Sequence, residues 1–247
     1  MVAAILLLVA IAAAWWQRFE DEGASPSERR VGTALIVVGC SLLLNPDYHV
    51  LHELWAGALI ALSIGLQRPG QWLGAVVVGG LALAVRELVL PFIMLMAALA
   101  LYRRDWQELG GWSAIVIAFV ALLTWHVSVV SSYVLPEDMS GPGWLALRGP
   151  AGWMTNIVLS SSLHMLPAVV SSVVVVFALL GWAAFRSPAA VTVSLLSIGY
   201  GVAFMFAGRE DNFYWGMIVT PMLFAGIAFV PRLLAPLWNN ALRSTPV

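Results

Sequence analysis

Lysine is absent from the chain: all twelve basic residues among the 247 are arginine, set against thirteen acids for a formal net charge of -1. No basic stripe can therefore follow a nucleic-acid backbone, and nucleic acid is excluded as a partner. Charge of either sign is scarce. Only 10% of residues are Asp, Glu, Lys or Arg, whereas a water-soluble domain carries roughly 25%, so the soluble classes are excluded too. A single cysteine, Cys40, can form neither an internal disulfide nor a zinc framework nor a redox pair. What fills the chain instead is apolar: 61% hydrophobic residues and a mean hydropathy of +0.91. These values belong to an integral membrane protein.

In lipid the backbone must satisfy its own polar groups, so long apolar runs read as helices. Nine runs qualify: Val2 to Trp16, Val31 to Leu44, Val50 to Leu66, Trp72 to Val85, Leu88 to Tyr102, Gly111 to Tyr133, Leu166 to Phe185, Ala189 to Ala207 and Met217 to Leu234. The expected fold is all-α, a polytopic transmembrane bundle of nine spans in one domain covering residues 1–247. Several runs hold only about 15 apolar residues against the roughly 20 needed to cross a bilayer, which suggests an internal aqueous cavity. Met1 leads directly into apolar sequence without a basic segment or a small-residue cleavage site, unlike a signal peptide.

The arginines orient the bundle. With the N-terminus outside, Arg18, Arg29, Arg30, Arg68, Arg103, Arg104, Arg186, Arg232 and Arg243 fall inside, leaving Arg86, Arg148 and Arg209 outside. The expected topology is N-out/C-in. A competing reading makes Trp72 to Tyr102 one long helix with Arg86 mid-membrane, but it makes the charge split about even. A hairpin with Arg86-Glu87 at its outer tip is therefore preferred, with Pro91 in the first turn of the returning helix. The one long external segment, residues 134–165, carries Pro136, Pro142, Gly143, Trp144, Pro150 and Trp153 and reads as a loop with an interfacial helix.

In this topology every histidine (His49, His52, His126 and His164) falls at or near the outer face, with Asp47, Glu53, Arg86, Glu87, Glu137, Asp138, Arg209, Glu210 and Asp211. Ionisable groups near a membrane core cost several kcal/mol unless paired or wet, so such a gathering marks a functional cavity. The plain alternative is that outer loops need polar residues anyway.

Three motifs stand out. In Asn45-Pro46-Asp47-Tyr48-His49-Val50-Leu51-His52-Glu53, Asn45 can cap a helix whose first residue is Pro46. His49, His52 and Glu53 would then share a face at i, i+3 and i+4. That face suits a divalent cation, a general base beside an imidazole, or interfacial hydrogen bonding; no metal or other cofactor is assigned. In the hairpin tip, Arg86 can offer its planar fork to a phosphate or to the carboxylate of Glu53 or Glu87; the plain alternative is an ion pair pinning helices. In Arg209-Glu210-Asp211-Asn212-Phe213-Tyr214-Trp215, the aromatics suit either an interfacial belt or a stacked sugar whose hydroxyls bond Asp211, Asn212 and Arg209.

The segment His52-Glu53-Leu54-Trp55-Ala56-Gly57, an arginine-containing inner turn, and Gly79 to Phe92 with Val85-Arg86-Glu87-Leu88-Val89-Leu90-Pro91 resemble the middle helices of bacterial C-type (GT-C) glycosyltransferases. The resemblance spans Asn45 to roughly Arg104, and more loosely Asn212 to Gly216. It implies an inner-membrane enzyme that transfers a sugar from a polyprenyl-phosphate donor at the periplasmic face. By the resemblance Glu53 would be the active-site carboxylate and Arg86 a ligand of the lipid phosphate or a partner of that carboxylate; no further residue carries over, and Asp211 of the outer turn is a second candidate base on the residues alone. From the outer polar cluster and the aromatic turn, rather than from the resemblance, substrate binding would draw on Glu87, His49, His52, His126, Arg209, Asn212, Tyr214 and Trp215. The chain departs from the family in one respect: members carry a long first external loop with the catalytic acid, and here the first loop is cytoplasmic by the arginine count. The relation to the family is thus a C-terminal portion, one half of a split enzyme, or a relative without catalysis. A different class stays open, a non-catalytic membrane subunit bound to a second membrane protein. A small transporter is a weaker third reading, because paired broken helices and internal repeats are lacking.

Overall fold

Polar residues sit where helices need ends, and the computed structural model shows them used that way. It describes residues 1–234 apart from 136, 139, 140 and 142, so Pro136, Pro142 and Arg243 lie outside the described residues. After α1 (Val2–Asp21), Ser25 caps α2 (Pro26–Gly39) in a reciprocal box with Glu28, which satisfies two otherwise orphaned N–H groups. There follow α3 (His52–Leu66), α4 (Leu73–Val85), α5 (Leu90–Arg103) and α6 (Trp106–Ser131), the last capped by Asp105. α7 (Gly149–Leu159) and α8 (Ala168–Phe185) precede α9 (Pro188–Phe206), which Ser187 caps with proline in its first turn. The chain ends its described part in a broken pair, Glu210–Ile218 and Thr220–Leu234, bent by 53°.

Every one of the nine apolar runs carries a helix, but nine spans is too many. Among the described residues α1, α6, α8 and α9 are long and apolar enough to cross a membrane, and the bent pair brings the total to five at most. The intermediate helices α2 to α5 have 14, 15, 13 and 14 residues, which reach only about 20 Å at 1.5 Å per residue. Hydropathy counts apolar residues wherever they fall, whereas a helix stops where the backbone turns. α2 ends at Cys40, short 3-10 turns occupy Ser41–Leu44 and Pro46–Tyr48, and α3 begins only at His52.

Helix pairing follows from a few specific contacts. Trp15 Nε1 donates to the Ala61 carbonyl at 2.8 Å, tying α1 to α3, and Ser63 Oγ donates to the Ala75 carbonyl at 2.7 Å, tying α3 to α4. At Arg86 the backbone is extended (φ -151, ψ 123), and α5 returns beside α6, with Phe92 edge-on to Trp112 at 5.8 Å. The hairpin reading of this region holds, and the single long helix does not. Lipid offers no hydrophobic drive between helices, so close approach depends on small residues. Gly181 of α8 lies against the Gly226 carbonyl, and Gly226 against the Ala178 carbonyl. Trp182 Nε1 donates to the Met222 and Leu223 carbonyls at 3.1 Å, and so satisfies backbone groups just after the bend. Phe19, Phe185 and Phe229 complete the buried aromatic core around it, Phe185 stacking on Phe229 at 4.0 Å.

The charged residues separate to two ends. At one end Asp21 meets Arg68, Glu22 meets the N-terminus of α9, Arg103 meets Glu108 and Glu28 meets Arg232. At the other, Glu53 meets Arg86, the Tyr200 hydroxyl donates to the Leu88 carbonyl, and Arg148 reaches the Arg209 carbonyl. Among the described residues Arg18, Arg29, Arg68, Arg103, Arg186 and Arg232, six of the nine arginines expected together, lie at the first end.

Candidate functional site

Some of the predicted outer residues form two groups on this second end, Glu53, Arg86 and Glu87 in one and Arg209, Asp211, Asn212, Tyr214 and Trp215 in the other. The first is built on α3 and the α4–α5 hairpin. Glu53, in the first turn of α3, is only 3% exposed, and Arg86 Nε lies 2.8 Å from its Oε1. Arg86 also lies 3.2 Å from Glu87, which is mostly exposed. Here the sequence expectation that Arg86 pairs with Glu53 or Glu87 is met by both. The guanidinium is thereby neutralised, which leaves it little attraction for a phosphate.

The histidines do not join this pair. Because Pro46 opens only a 3-10 turn and Leu51 is extended before α3, His49 and His52 are not successive members of one helical face. The His49 ring bonds the Leu43 carbonyl at 2.7 Å, its own carbonyl accepts from Trp55 Nε1 at 3.1 Å, and its ring packs edge-on to Trp55. His52 is exposed. His126 stands on the distal half of α6, where Leu122, Leu123, Trp125 and Val129 are also exposed, away from either group. No three His, Cys, Asp or Glu side chains among the described residues converge on a metal position.

The second group is built where the chain leaves α9. Residues 144–148 run alongside the end of that helix: Ala146 N–H donates to the Phe206 carbonyl, Arg148 N–H to the Met205 carbonyl, and Gly208 N–H to the Trp144 carbonyl. This sets Trp144 under Arg209, whose guanidinium carbon lies 4.5 Å from the ring centroid, a cation–π contact. Trp215 lies 5.7 Å from Trp144, its ring tilted by 30°. Asn212 is buried, accepts from the Arg209 N–H at 3.0 Å and donates to the Tyr214 hydroxyl at 3.1 Å. Asp211 is 72% exposed and loosely held by Arg209 at 3.4 Å.

Two residues that sequence reasoning did not single out complete the group. Arg148, the residue before α7, donates to Asn156 Oδ1 at 2.9 Å and to the Arg209 carbonyl at 3.4 Å, and no carboxylate pairs with it among the described residues. Asn156 is fully buried on α7. Its Nδ2 and the Nε1 of Trp215 are buried donors with no partner among the described residues. Buried donors are nearly always satisfied, so each asks for an explanation. A signal for Arg148 was present, since it is one of only three outer arginines; Asn156 gave none.

No family model, no curated protein and no solved structure matches the chain. The site must be read from its own chemistry. Among the described residues it offers two guanidinium groups, one of them without an acidic partner, an unfilled amide donor and an unfilled indole donor, an exposed carboxylate and two neighbouring tryptophan rings. Guanidinium groups suit the oxygens of a phosphate.

The opposite end carries a polar network that sequence reasoning assigned only to topology. Glu108 is fully buried; it accepts from Arg103 at 2.8 Å, from Gln67 Nε2 at 3.2 Å and from Trp112 Nε1 at 3.2 Å. Gln67 in turn accepts from Arg18 at 3.1 Å, and Arg18 Nε lies 2.5 Å from Glu22.

Proposed function

We propose that the chain is a GT-C-like membrane protein that handles a polyprenyl-phosphate sugar at the periplasmic face of the bacterial inner membrane, in the N-out/C-in topology. The observation that carries this reading is the pair of unfilled buried donors, Asn156 Nδ2 and Trp215 Nε1, beside Arg148 and Arg209. In this reading Arg148 and Arg209 neutralise the phosphate, and the Trp144, Tyr214 and Trp215 rings with Asn212 hold the sugar. The Asp211 carboxylate takes the proton from an acceptor hydroxyl, whose oxygen attacks the anomeric carbon. The bond to the phosphate oxygen breaks, and the polyprenyl phosphate leaves with its charge stabilised. Glu53, buried and neutralised by Arg86, holds α3 to the hairpin beside the site.

The test is transfer of labelled sugar from polyprenyl-phosphate donors in membranes containing the chain. Asp211→Asn is expected to lose turnover at an unchanged protein level, a loss of at least about a hundredfold for a removed general base. Arg148→Ala is expected chiefly to raise the KM for donor. Loss with Glu53→Gln and not with Asp211→Asn would move the base to Glu53.

A second reading, a non-catalytic subunit, has an observation of its own in the exposed apolar distal half of α6, with Leu122 62% and Trp125 66% exposed. Absence of transfer from every donor, together with stable co-purification of a second membrane protein, would select it.

A further inference from the structure

The arginine-rich end contains a site that the proposed transfer chemistry does not use. A cavity of about 330 Å³ opens there between the ends of α1, α3 and α5 and the start of α9, and four arginines line it: Arg18, Arg68, Arg103 and Arg186. Their acidic partners are already engaged. Asp21 holds Arg68 at 2.6 Å, Glu108 holds Arg103 at 2.8 Å, and Glu22 is shared between Arg18 and the Ala189 N–H at the beginning of α9. Arg186 makes no hydrogen bond and no ion pair among the described residues. Four guanidinium groups against three carboxylates leave the cavity one positive charge in excess, and the positive end of the α9 dipole points into the same space.

Among the described residues Arg186 is also one of two non-glycine residues with a left-handed backbone (φ 51), at the C-terminal end of α8. Glycine adopts that conformation without cost and arginine does not, so the side chain has a use that the turn itself does not supply. The level of the cavity in the membrane is marked by exposed aromatic residues at the same end of the molecule: Trp16, Tyr102 and Trp106. Such residues sit at the headgroup layer, and basic pockets between helices at that layer suit lipid phosphates.

We infer that this cavity binds the phosphate of an anionic phospholipid headgroup, with Arg186 and the free N–H groups of Arg103 as its principal donors. The inference does not depend on the sugar-transfer reading.

The test uses the full chain in mild detergent, with thermal unfolding followed as short-chain phosphatidylglycerol, phosphatidylcholine or inorganic phosphate is added. Phosphatidylglycerol is expected to raise the Tm, and phosphatidylcholine and inorganic phosphate to leave it unchanged at equal concentration. Arg186→Gly relieves the left-handed turn while deleting the guanidinium. It should leave the lipid-free Tm unchanged or raise it, yet weaken phosphatidylglycerol binding roughly tenfold, the loss expected for charge-assisted hydrogen bonds. Arg186→Lys should retain most of the binding. Native mass spectrometry of the wild-type chain, counting retained phosphatidylglycerol, supplies a readout independent of variant folding. Equal stabilisation by both lipids, equal protection by inorganic phosphate, or undiminished lipid binding by Arg186→Gly would overturn the assignment.

Discussion

At the scale of single residues, two buried carboxylates, Glu53 and Glu108, make a natural comparison because their supports differ. Glu53 has one close guanidinium, from Arg86, whereas Glu108 has Arg103 together with donors from Gln67 and Trp112. Removing the only cation beside a buried charge costs about 3 kcal/mol or more, while replacing both partners with apolar groups costs far less. Arg86→Ala should therefore lower stability in detergent by about that amount, and the Glu53→Met/Arg86→Leu double variant should recover most of it. Arg103→Ala should be milder, because two neutral donors stay on Glu108. Equal losses for Arg86→Ala and Arg103→Ala, measured by thermal unfolding, would refute the distinction. Only one of these carboxylates was visible in the sequence. Glu53 and Arg86 are rare charges inside apolar stretches, so their pairing could be anticipated. Glu108 lies just before the apolar run that starts at Gly111 and looks like an ordinary polar cap, yet α6 begins at Trp106 and carries Glu108 into the packed interior. Asn156 and Arg148 were hidden differently, since their partnership depends on residues 144–148 folding back along α9, a contact over nearly 60 positions that no local pattern encodes.

At the scale of elements, apolar runs located the helices, but their lengths and breaks depended on particular backbone contacts. The bent C-terminal pair is one case: its 3-10 stretch Phe224–Phe229 fits beside α8 only because Gly181 and Gly226 allow the backbones to touch. A methyl group at either glycine would meet a carbonyl oxygen of the other element. Forcing an extra carbon into such a contact costs about 1–3 kcal/mol. Gly181→Ala and Gly226→Ala should each lower the Tm accordingly, and Gly199→Ala, where nothing lies within 4 Å of the added carbon, should leave it unchanged or slightly raised. A Gly226→Ala protein as stable as the wild type would show that this contact is looser than described. Gly57 of α3 belongs to the same class, since its added carbon would strike the Met217 carbonyl. That contact packs α3, which carries Glu53, against the segment that carries Asp211 and Asn212.

At the scale of the whole molecule, the segregation of arginines predicts an orientation, and one ion pair closes the fold across its length. Cys40 is fully buried, so a cysteine introduced at Gly141 or Gly23 can be labelled against a silent background. In the N-out/C-in orientation Gly141 should react with an impermeant reagent in intact cells, and Gly23 only after permeabilisation; the reverse pattern would invert the topology. On the arginine-rich end, Arg232 grips Glu28 through Nε at 2.5 Å and a terminal amine at 2.7 Å, joining residues 204 positions apart. Glu28 sits in the first turn of the short helix α2, and the hydrogen bonds from Arg232 pull its carboxyl down from 4.5 to about 2. A carboxylate whose pKa is lowered by folding adds stability that is complete above its unfolded value and disappears as pH falls through the folded one. The closure should therefore be at full strength above about pH 5 and weaken progressively between pH 4.5 and about 2. The Arg232 side chain is 34% exposed, so water screens the pair and limits its worth. Arg232→Gln should lower the Tm at neutral pH and flatten the fall in Tm across that acid window, while leaving the curve unchanged where Glu28 is already protonated. An acid transition as steep in Arg232→Gln as in the wild type would place the pH sensitivity on other carboxylates.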